Sequence, residues 1–170
     1  PDDGDLDYRR AAELYRKVLE LDTPRDRQDQ ATFRVAWCLE KLGDAGGAVR
    51  AYRAYLDQFA AERQHPLPAE FLSGAPVREA RLQLGINEQA NGQAAGARRT
   101  LEDLCADLGE FLQGADLDDE RREALTDMHG QARYRVAWTY GSDRNSSLLA
   151  ITNIKGFLTD FPTHDWATRA

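Results

Sequence analysis

Few residues in this sequence have the types and spacing that chemistry requires. The chain holds two cysteines, Cys38 and Cys105, and three histidines, which are His65, His129 and His164. Neither cysteine belongs to a CxxC pair, and the histidines lack the spacing of metal ligands. No Gly-rich phosphate loop, GxSxG motif or HExxH motif occurs. The sequence therefore predicts no catalytic residue, no metal site and no cofactor, and it favours two buried free thiols.

The charge balance limits the classes of partner. The 170 residues include 22 Lys and Arg against 29 Asp and Glu, which gives a net charge of -7. An acidic chain does not attract nucleic acid or anionic lipid. The mean hydropathy is -0.64, and no apolar run approaches the roughly 20 residues that a membrane span needs. We therefore expect a protein or peptide partner, no nucleic acid and no direct insertion into a membrane.

The sequence predicts that any functional site is built on helices. Ala is abundant, β-branched residues are sparse, and apolar residues recur at intervals of three and four. This pattern predicts helices at residues 6–21, 26–42, 45–62, 77–90, 94–113, 117–140 and 147–160. Another helix is expected to start at residue 163. Pro24 and Pro162 lie just past helix ends, and Asp116 is the expected N-cap of the sixth helix.

Two short segments of the sequence occur twice. Residues 33–37 (FRVAW) return as residues 134–138 (YRVAW), and residues 55–59 (YLDQF) return as residues 157–161 (FLTDF). The offsets are 101 and 102 residues, and the second is three times the period of about 34 that is typical of helix-turn-helix repeats. A repeat of this kind stacks helical hairpins, because one hairpin cannot bury its apolar face alone.

The first full copy resembles a tetratricopeptide repeat (TPR). Ala36 on one helix and Ala48 on the next are small, so the two helices can cross closely. Gly43 and Asp44 form the turn between them, and Tyr52 follows on the second helix. The resemblance implies an all-α fold, a right-handed superhelical solenoid of antiparallel helix pairs.

Imperfect copies of the same pattern extend over most of the chain. One contains Gly85 and Ala97, and another contains Ala137 and Ala150. We expect a single TPR-like solenoid fragment made of a half repeat (5–22), a repeat (26–60), an insertion (61–76), a long repeat (77–115), a repeat (117–161) and the start of the next helix (163–170). The Pro-rich insertion is either a partner contact or a spacer.

Residues 161–167 (FPTHDWA) resemble a junction found in bacterial envelope TPR proteins. These include the outer-membrane-assembly lipoprotein and the Tol-Pal-associated periplasmic protein. Tyr55 and Phe157 stand where a generic repeat has Ala, and these large residues also favour the envelope type. The ratio of three Lys to 19 Arg is typical of GC-rich bacteria. The resemblance implies a periplasmic or cell-envelope location rather than a cytoplasmic one. Because the chain begins with Pro1, we expect a fragment of a longer protein.

The resemblance also implies where a partner would bind. In TPR proteins the first helix of each pair lines a concave face, and these positions give the partner-binding candidates Phe33, Trp37, Glu40, Lys41, Leu82, Ile86, Gln89, Tyr134 and Trp138. Three pairs of apolar members lie four residues apart, hence on one helix face. We call these pairs, Phe33/Trp37, Leu82/Ile86 and Tyr134/Trp138, the ladder. A chaperone-tail clamp is excluded, because it needs Lys and Asn at the ladder positions.

Two interpretations of the ladder remain open. It is either an apolar groove that anchors a peptide or helix, or a set of side chains packed between neighbouring helices. Glu88 occupies a position where the pattern has a large aromatic residue. It either pairs with an Arg such as Arg98, lies on a rotated helix, or is catalytic.

The function that these patterns favour is protein–protein interaction by a non-enzymatic adaptor or scaffold, within a bacterial cell-envelope complex. One alternative is a regulatory or spacer segment of a larger enzyme whose catalytic domain lies elsewhere. The other is a structural solenoid that self-associates through its exposed ends.

Overall fold

The computed structural model describes residues 3–59, 75–141 and 146–167. Within these ranges the chain is almost entirely α-helical and contains no strand, which confirms the all-α class. The helices are α1 (Asp3–Glu20), α2 (Arg25–Lys41), α3 (Ala45–Phe59), α4 (Ala75–Ala90), α5 (Ala94–Gly114), α6 (Asp119–Gly141) and α7 (Ser147–Asp160). Of the helices in the described part, none is long and apolar enough to cross a membrane. Most of the insertion expected at residues 61–76 lies outside the described residues.

The chain divides into two compact units, unit 1 (Pro1–Asn91) and unit 2 (Gly92–Ala170). In unit 1, α1 packs against α2, α2 against α3, and α3 against α4. In unit 2, α5 packs against α6, and α6 against α7. Packing of each helix on its neighbour in sequence is the arrangement that helical hairpins joined by short turns produce. The single solenoid expected from the sequence stays a prediction.

The turn between α2 and α3 follows from its sequence. Gly43 has a φ of 72°, a left-handed conformation that glycine adopts without steric cost and that commonly ends a helix. Asp44 then caps α3, because its carboxylate accepts the backbone N–H of Gly47 at 2.8 Å. Ala36 and Ala48 are fully buried in one core cluster. The small side chains therefore lie inside the hairpin, as the repeat pattern predicts.

Aromatic residues fill the rest of the core of unit 1. Tyr52 and Tyr55 are fully buried on α3. Phe33 of α2 contacts both edge-to-face, with ring centroids 5.8 Å and 5.5 Å away. Such aromatic pairs add packing energy beyond the area they bury. Three aromatic side chains thus pack together in the core of unit 1, and one of them is Tyr55.

Unit 2 contains two long helices. α5 has 21 residues and α6 has 23, which agrees with the predicted long pair. Leu101, Leu104 and Leu108 lie three and four residues apart on α5 and are fully buried. This spacing places them on one face of the helix. The apolar periodicity in the sequence therefore locates the buried face correctly.

Two expectations for the ends of helices in unit 2 are wrong. The N-cap of α6 is Asp118 rather than Asp116, because Asp118 accepts the N–H of Arg121 at 2.8 Å. Residues 162–166 form turns and a bend, and residue 167 is 3₁₀-helical, so no helix starts at residue 163; residues 168–170 lie outside the described residues. Boundaries of this kind depend on which of two nearby residues first satisfies the free N–H groups of the helix.

Candidate functional site

The ladder pair of unit 1 is largely covered by its own unit. Trp37 is half-buried, and Tyr8 of α1 contacts its ring edge-to-face at a centroid distance of 5.4 Å. The cationic groups of Arg34 and Lys41 lie 5.6 Å and 5.5 Å from the centre of the same ring. Phe33 packs into the core. These two ladder residues, together with Lys41, therefore take part in contacts within the unit.

Glu40 holds three helices of unit 1 together. Its carboxylate accepts the Tyr52 hydroxyl of α3 at 3.0 Å and the Asn87 amide of α4 at 3.4 Å. It also accepts the exposed ammonium group of Lys41 at 3.1 Å. Burial raises the pKa of Tyr52, and the nearby Glu40 carboxylate raises it further. Glu40 was predicted to face a partner, and the structure places its carboxylate in this internal network.

The predicted residues of α4 are mostly enclosed. Leu82 is buried, while Ile86 and Gln89 are half-buried. The side-chain oxygen of Gln89 is buried and has no hydrogen-bond partner among the described residues. Glu88 is almost fully buried and pairs with Arg53 at 2.5 Å. Of the three alternatives for Glu88, pairing with an Arg is therefore confirmed, but the partner is Arg53 and not Arg98.

Arg98 has a different role in unit 2. Its guanidinium donates to the hydroxyl and the carbonyl of Thr139 at 3.2 Å and 3.0 Å. It also lies 3.7 Å from the centre of the Tyr140 ring. The Tyr140 hydroxyl in turn donates to Glu102 at 3.0 Å. This group of contacts fixes the start of α5 against the end of α6.

The ladder pair of unit 2 is open on one side. Tyr134 is buried, whereas Trp138 is 53% exposed. The Tyr134 ring contacts Phe157 of α7 at 5.5 Å, Trp166 at 4.9 Å and Trp138 at 6.2 Å between centroids. One large aromatic residue of the ladder is thus fixed by packing, and the next one along the same helix face is available to a partner.

A small cavity lies beside Trp138. It has a volume of about 250 Å³ and is lined by Tyr134, Arg135, Trp138 and Trp166, and we call it the aromatic cleft. The Arg135 guanidinium lies 5.1 Å from the centre of the Trp166 ring. Its Nε is buried and has no hydrogen-bond partner among the described residues. Burial lowers the pKa of Arg135, although the neighbouring Tyr134 opposes this.

Trp166 is held in place by the turns that follow α7. Its backbone N–H donates to Nδ1 of His164 at 3.2 Å. With Nδ1 as the acceptor of that bond, Nε2 of the same ring donates to the Asp127 carboxylate at 3.0 Å. Gly130 leaves room for this ring, since a Cβ there would lie 2.8 Å from Nε2 of His164. The cleft is therefore assembled from α6 and a separate segment fixed to it.

A larger cavity of about 560 Å³ lies beside the N-terminal part of α6 and residues 160–165. Its lining includes the acidic side chains of Asp119, Glu123, Asp127 and Asp160, together with Arg122. Most of these side chains are exposed. Charged groups on an exposed surface are most simply solvated, so the charges of this cavity do not by themselves define a ligand site.

Within residues 3–59, 75–141 and 146–167, the titratable side chains do not form a recognisable catalytic arrangement. Burial raises the pKa of the Cys38 thiol and raises that of Cys105 to about 12, so both remain poor nucleophiles. Cys38 is buried, as expected, whereas Cys105 is half-buried. Across the part of the chain that the structure describes, no group of three His, Cys, Asp or Glu side chains could hold a metal ion.

The fold is thus an all-α, TPR-like arrangement of helical hairpins. A comparison with family models agrees: the model described as Tetratricopeptide repeat matches residues 30–61, which begin within α2 and include all of α3. No curated protein and no solved structure matches the chain. Repeats of this class generally mediate protein–protein interaction, using the surface that stacked hairpins present. Arg135 and Trp166 were not among the site residues predicted from the sequence.

Proposed function

We propose that this chain is a non-enzymatic protein–protein interaction module, an adaptor or scaffold, and that a partner binds at the aromatic cleft. The observation that carries the proposal is the 53% exposure of Trp138 beside the buried Tyr134. Trp and Tyr are enriched among the residues that dominate binding energy. A rigid aromatic wall next to a half-buried Arg offers such an anchor.

The cleft is a better candidate than the ladder of unit 1. Trp37 is already contacted by Tyr8, and Glu40 is committed to Tyr52 and Asn87. A partner at Trp37 would have to displace these contacts and bear their energetic cost. At Trp138 the exposed surface is free to be buried on binding.

The wider setting is also a proposal. The resemblance of residues 161–167 to the junction of envelope TPR proteins supports a role in a bacterial cell-envelope complex, of the outer-membrane-assembly or Tol-Pal-associated type, in the periplasm. The net charge of -7 supports a protein partner over nucleic acid. The repeated pattern supports one continuous solenoid.

The outward side of α7 supports a second interaction, self-association through the ends of the solenoid. Leu148 is 80% exposed, and Leu149 and Ile151 are about half exposed. Clustered apolar side chains of this kind often mark contact surfaces. Mass measured against concentration tests this proposal. Wild type should form oligomers that Ile151→Glu does not, and a mass that is independent of concentration would contradict it.

The main proposal is tested by capture from extract of the source cells with immobilised wild type, Trp138→Ala and Leu21→Ala. Leu21→Ala is the matched control, because Leu21 is 61% exposed and lies outside both the cleft and the α7 surface. Wild type and the control should retain a saturable partner that Trp138→Ala loses, while thermal melts stay within a few degrees of each other. If all three retain the same proteins, or none retains any, the cleft is not the binding site.

A further inference from the structure

The aromatic cleft has a size and charge that point to one kind of occupant. We propose that it binds a peptide segment in which an aromatic side chain lies next to an Asp or Glu side chain. The inference rests on the proposed function, since it names the partner chemistry for the same site. It depends on three features of the cleft: its volume, its walls and the state of Arg135.

The volume limits the occupant to one side chain. The cleft measures about 250 Å³, below the roughly 300–1,000 Å³ of pockets that enclose small-molecule ligands. A peptide would therefore insert one residue and keep the rest of its chain on the surface. Recognition by insertion of a single anchor is common where the receptor is a preformed helical surface.

The walls favour an aromatic ring over an aliphatic side chain. Three of the four lining residues are aromatic, and the ring of Tyr134 already makes an edge-to-face contact with that of Trp166. A fourth ring between these walls can adopt the edge-to-face or offset geometry that aromatic pairs prefer. Tyr134 is held by Phe157 behind it, so the wall is preorganised and little ordering is needed on binding.

Arg135 is the residue that favours a carboxylate on the peptide. Its guanidinium makes no hydrogen bond or ion pair with a side chain in the described part of the chain, and its Nε is buried. Two acidic residues of unit 2 have other partners: Asp127 pairs with His164, and Asp160 pairs with Arg133. A buried cationic donor without a partner is costly. A carboxylate matches the fork of donors that Arg presents.

The equivalent Arg of unit 1 shows that this preference for a carboxylate depends on the surroundings of Arg135 in the cleft. Arg34 holds the same place in the repeated pentapeptide as Arg135. Arg34 is exposed and lies over Trp37, so water satisfies its donors. Arg135 is half-buried beneath Trp166. The difference lies in the segment after α7, which shields one guanidinium from water.

The experiment begins with selection from a random peptide library displayed on phage, with the full chain as bait. Enriched peptides should share an aromatic residue adjacent to Asp or Glu. Each is then synthesised with both ends blocked, as the acid and as the Asn or Gln version. Fluorescence anisotropy gives the Kd of both versions for wild type, Arg135→Gln and Arg121→Gln. Arg121 is the matched control, since it lies on the same helix about 21 Å away and is half exposed.

Loss of the carboxylate, or of Arg135, should weaken binding at least tenfold, as expected for a charge-assisted hydrogen bond. Combining both changes should cause little further loss, because both remove the same interaction. Arg121→Gln should bind as wild type. Acid and amide peptides that bind equally well would overturn the inference.

The outcomes separate this inference from the proposed function. If enriched peptides bind through Trp138, so that Trp138→Ala abolishes binding, but carry no acidic residue, the proposed function survives and the partner chemistry is wrong. If enriched peptides are unaffected by Trp138→Ala, or if no peptide is enriched, the cleft is not a peptide site and both proposals fail.

Discussion

The two units contain nearly the same five residues, FRVAW and YRVAW, with different surroundings. In unit 1, Tyr8 covers Trp37 and two cations lie over its ring. In unit 2, Trp138 is 53% exposed and lies beside a cavity. The two Trp residues hold the same position in the motif, so the local motif does not determine whether the Trp is covered or exposed. The neighbouring elements determine it.

A second pair shows the same contrast for polar groups. In each unit a Tyr hydroxyl donates to a Glu carboxylate at 3.0 Å. Tyr52 is fully buried and shares Glu40 with Asn87, whereas the pair of Tyr140 and Glu102 lies at the surface. Two hydrogen bonds of the same length contribute differently to the free energy of unfolding when one is desolvated and the other is not. We therefore expect the network of Tyr52, Glu40 and Asn87 to contribute more to stability than the pair of Tyr140 and Glu102.

The largest expected difference between the units is in the two Trp residues. Trp37→Ala should lower the free energy of unfolding by about 3 kcal/mol, because it removes a packed indole. Trp138→Ala should lower it by less than about 1 kcal/mol, since much of that indole is already exposed. Urea unfolding followed by circular dichroism measures both. Equal losses would show that Trp138 is as much a part of the core as Trp37.

The helix crossings give the next largest difference. Ala48→Leu should cost about 1–3 kcal/mol, because Ala48 is fully buried at a crossing that has no room for a larger side chain. Ala150→Leu should fall at the lower end, since Ala150 is 8% exposed and the new side chain can turn toward solvent. Thermal and urea unfolding of both variants are the measurement. A neutral Ala48→Leu would mean that the α2–α3 hairpin tolerates a wider crossing.

Removing the hydroxyl from each Tyr–Glu pair should give a smaller difference in the free energy of unfolding than the helix crossings do. Tyr52→Phe should cost about 1–2 kcal/mol, because it leaves the Glu40 carboxylate without its shortest inter-helix partner in a buried site. Tyr140→Phe should cost only about 0.5 kcal/mol or less, since water replaces the hydroxyl at the surface. Both changes keep the ring. Urea midpoints that shift equally would remove the proposed contrast between the two networks.

The smallest expected effect is a pH dependence confined to unit 2. Burial lowers the pKa of His129 below its usual 6.5, and Arg133 lowers it further while Asp160 opposes both. The folded state therefore disfavours the charged ring. The stability that the neutral His129 ring contributes is fully present above pH 6.5 and is lost as the pH falls through the lowered pKa. His129→Gln should flatten the dependence of the urea midpoint on pH below 6.5, and an unchanged slope would contradict this.

The helical framework could be predicted from the sequence because its signals are local. The spacing of Leu101, Leu104 and Leu108 locates a buried face, and Gly43 with Asp44 marks a turn whose chemistry only a few residues allow. Cap positions are harder to predict, because Asp116 and Asp118 are equally suited and the choice depends on where the first helical turn forms. The structure selects Asp118.

The candidate site could be predicted only in part. Tyr134 and Trp138 follow from the repeat pattern, but the difference in their exposure depends on contacts made by α7 and the turns after it. Arg135 has no sequence signal that separates it from Arg34, since both follow an aromatic residue in the same pentapeptide. Trp166 was placed in a family junction rather than at a site, because its contact with Tyr134 joins residues 32 positions apart.

The hydrogen bond from the Trp166 backbone to His164 has a thermodynamic consequence for any ligand of the cleft. A ligand that touches both Trp166 and α6 binds only while residues 161–167 are docked. By reciprocity, it must stabilise their docking by the same free energy with which docking favours its binding. Exchange of the Trp166 amide proton with solvent therefore reports occupancy, because the bond at 3.2 Å opens when the segment undocks. The turn after α7 would act as a built-in sensor of the partner.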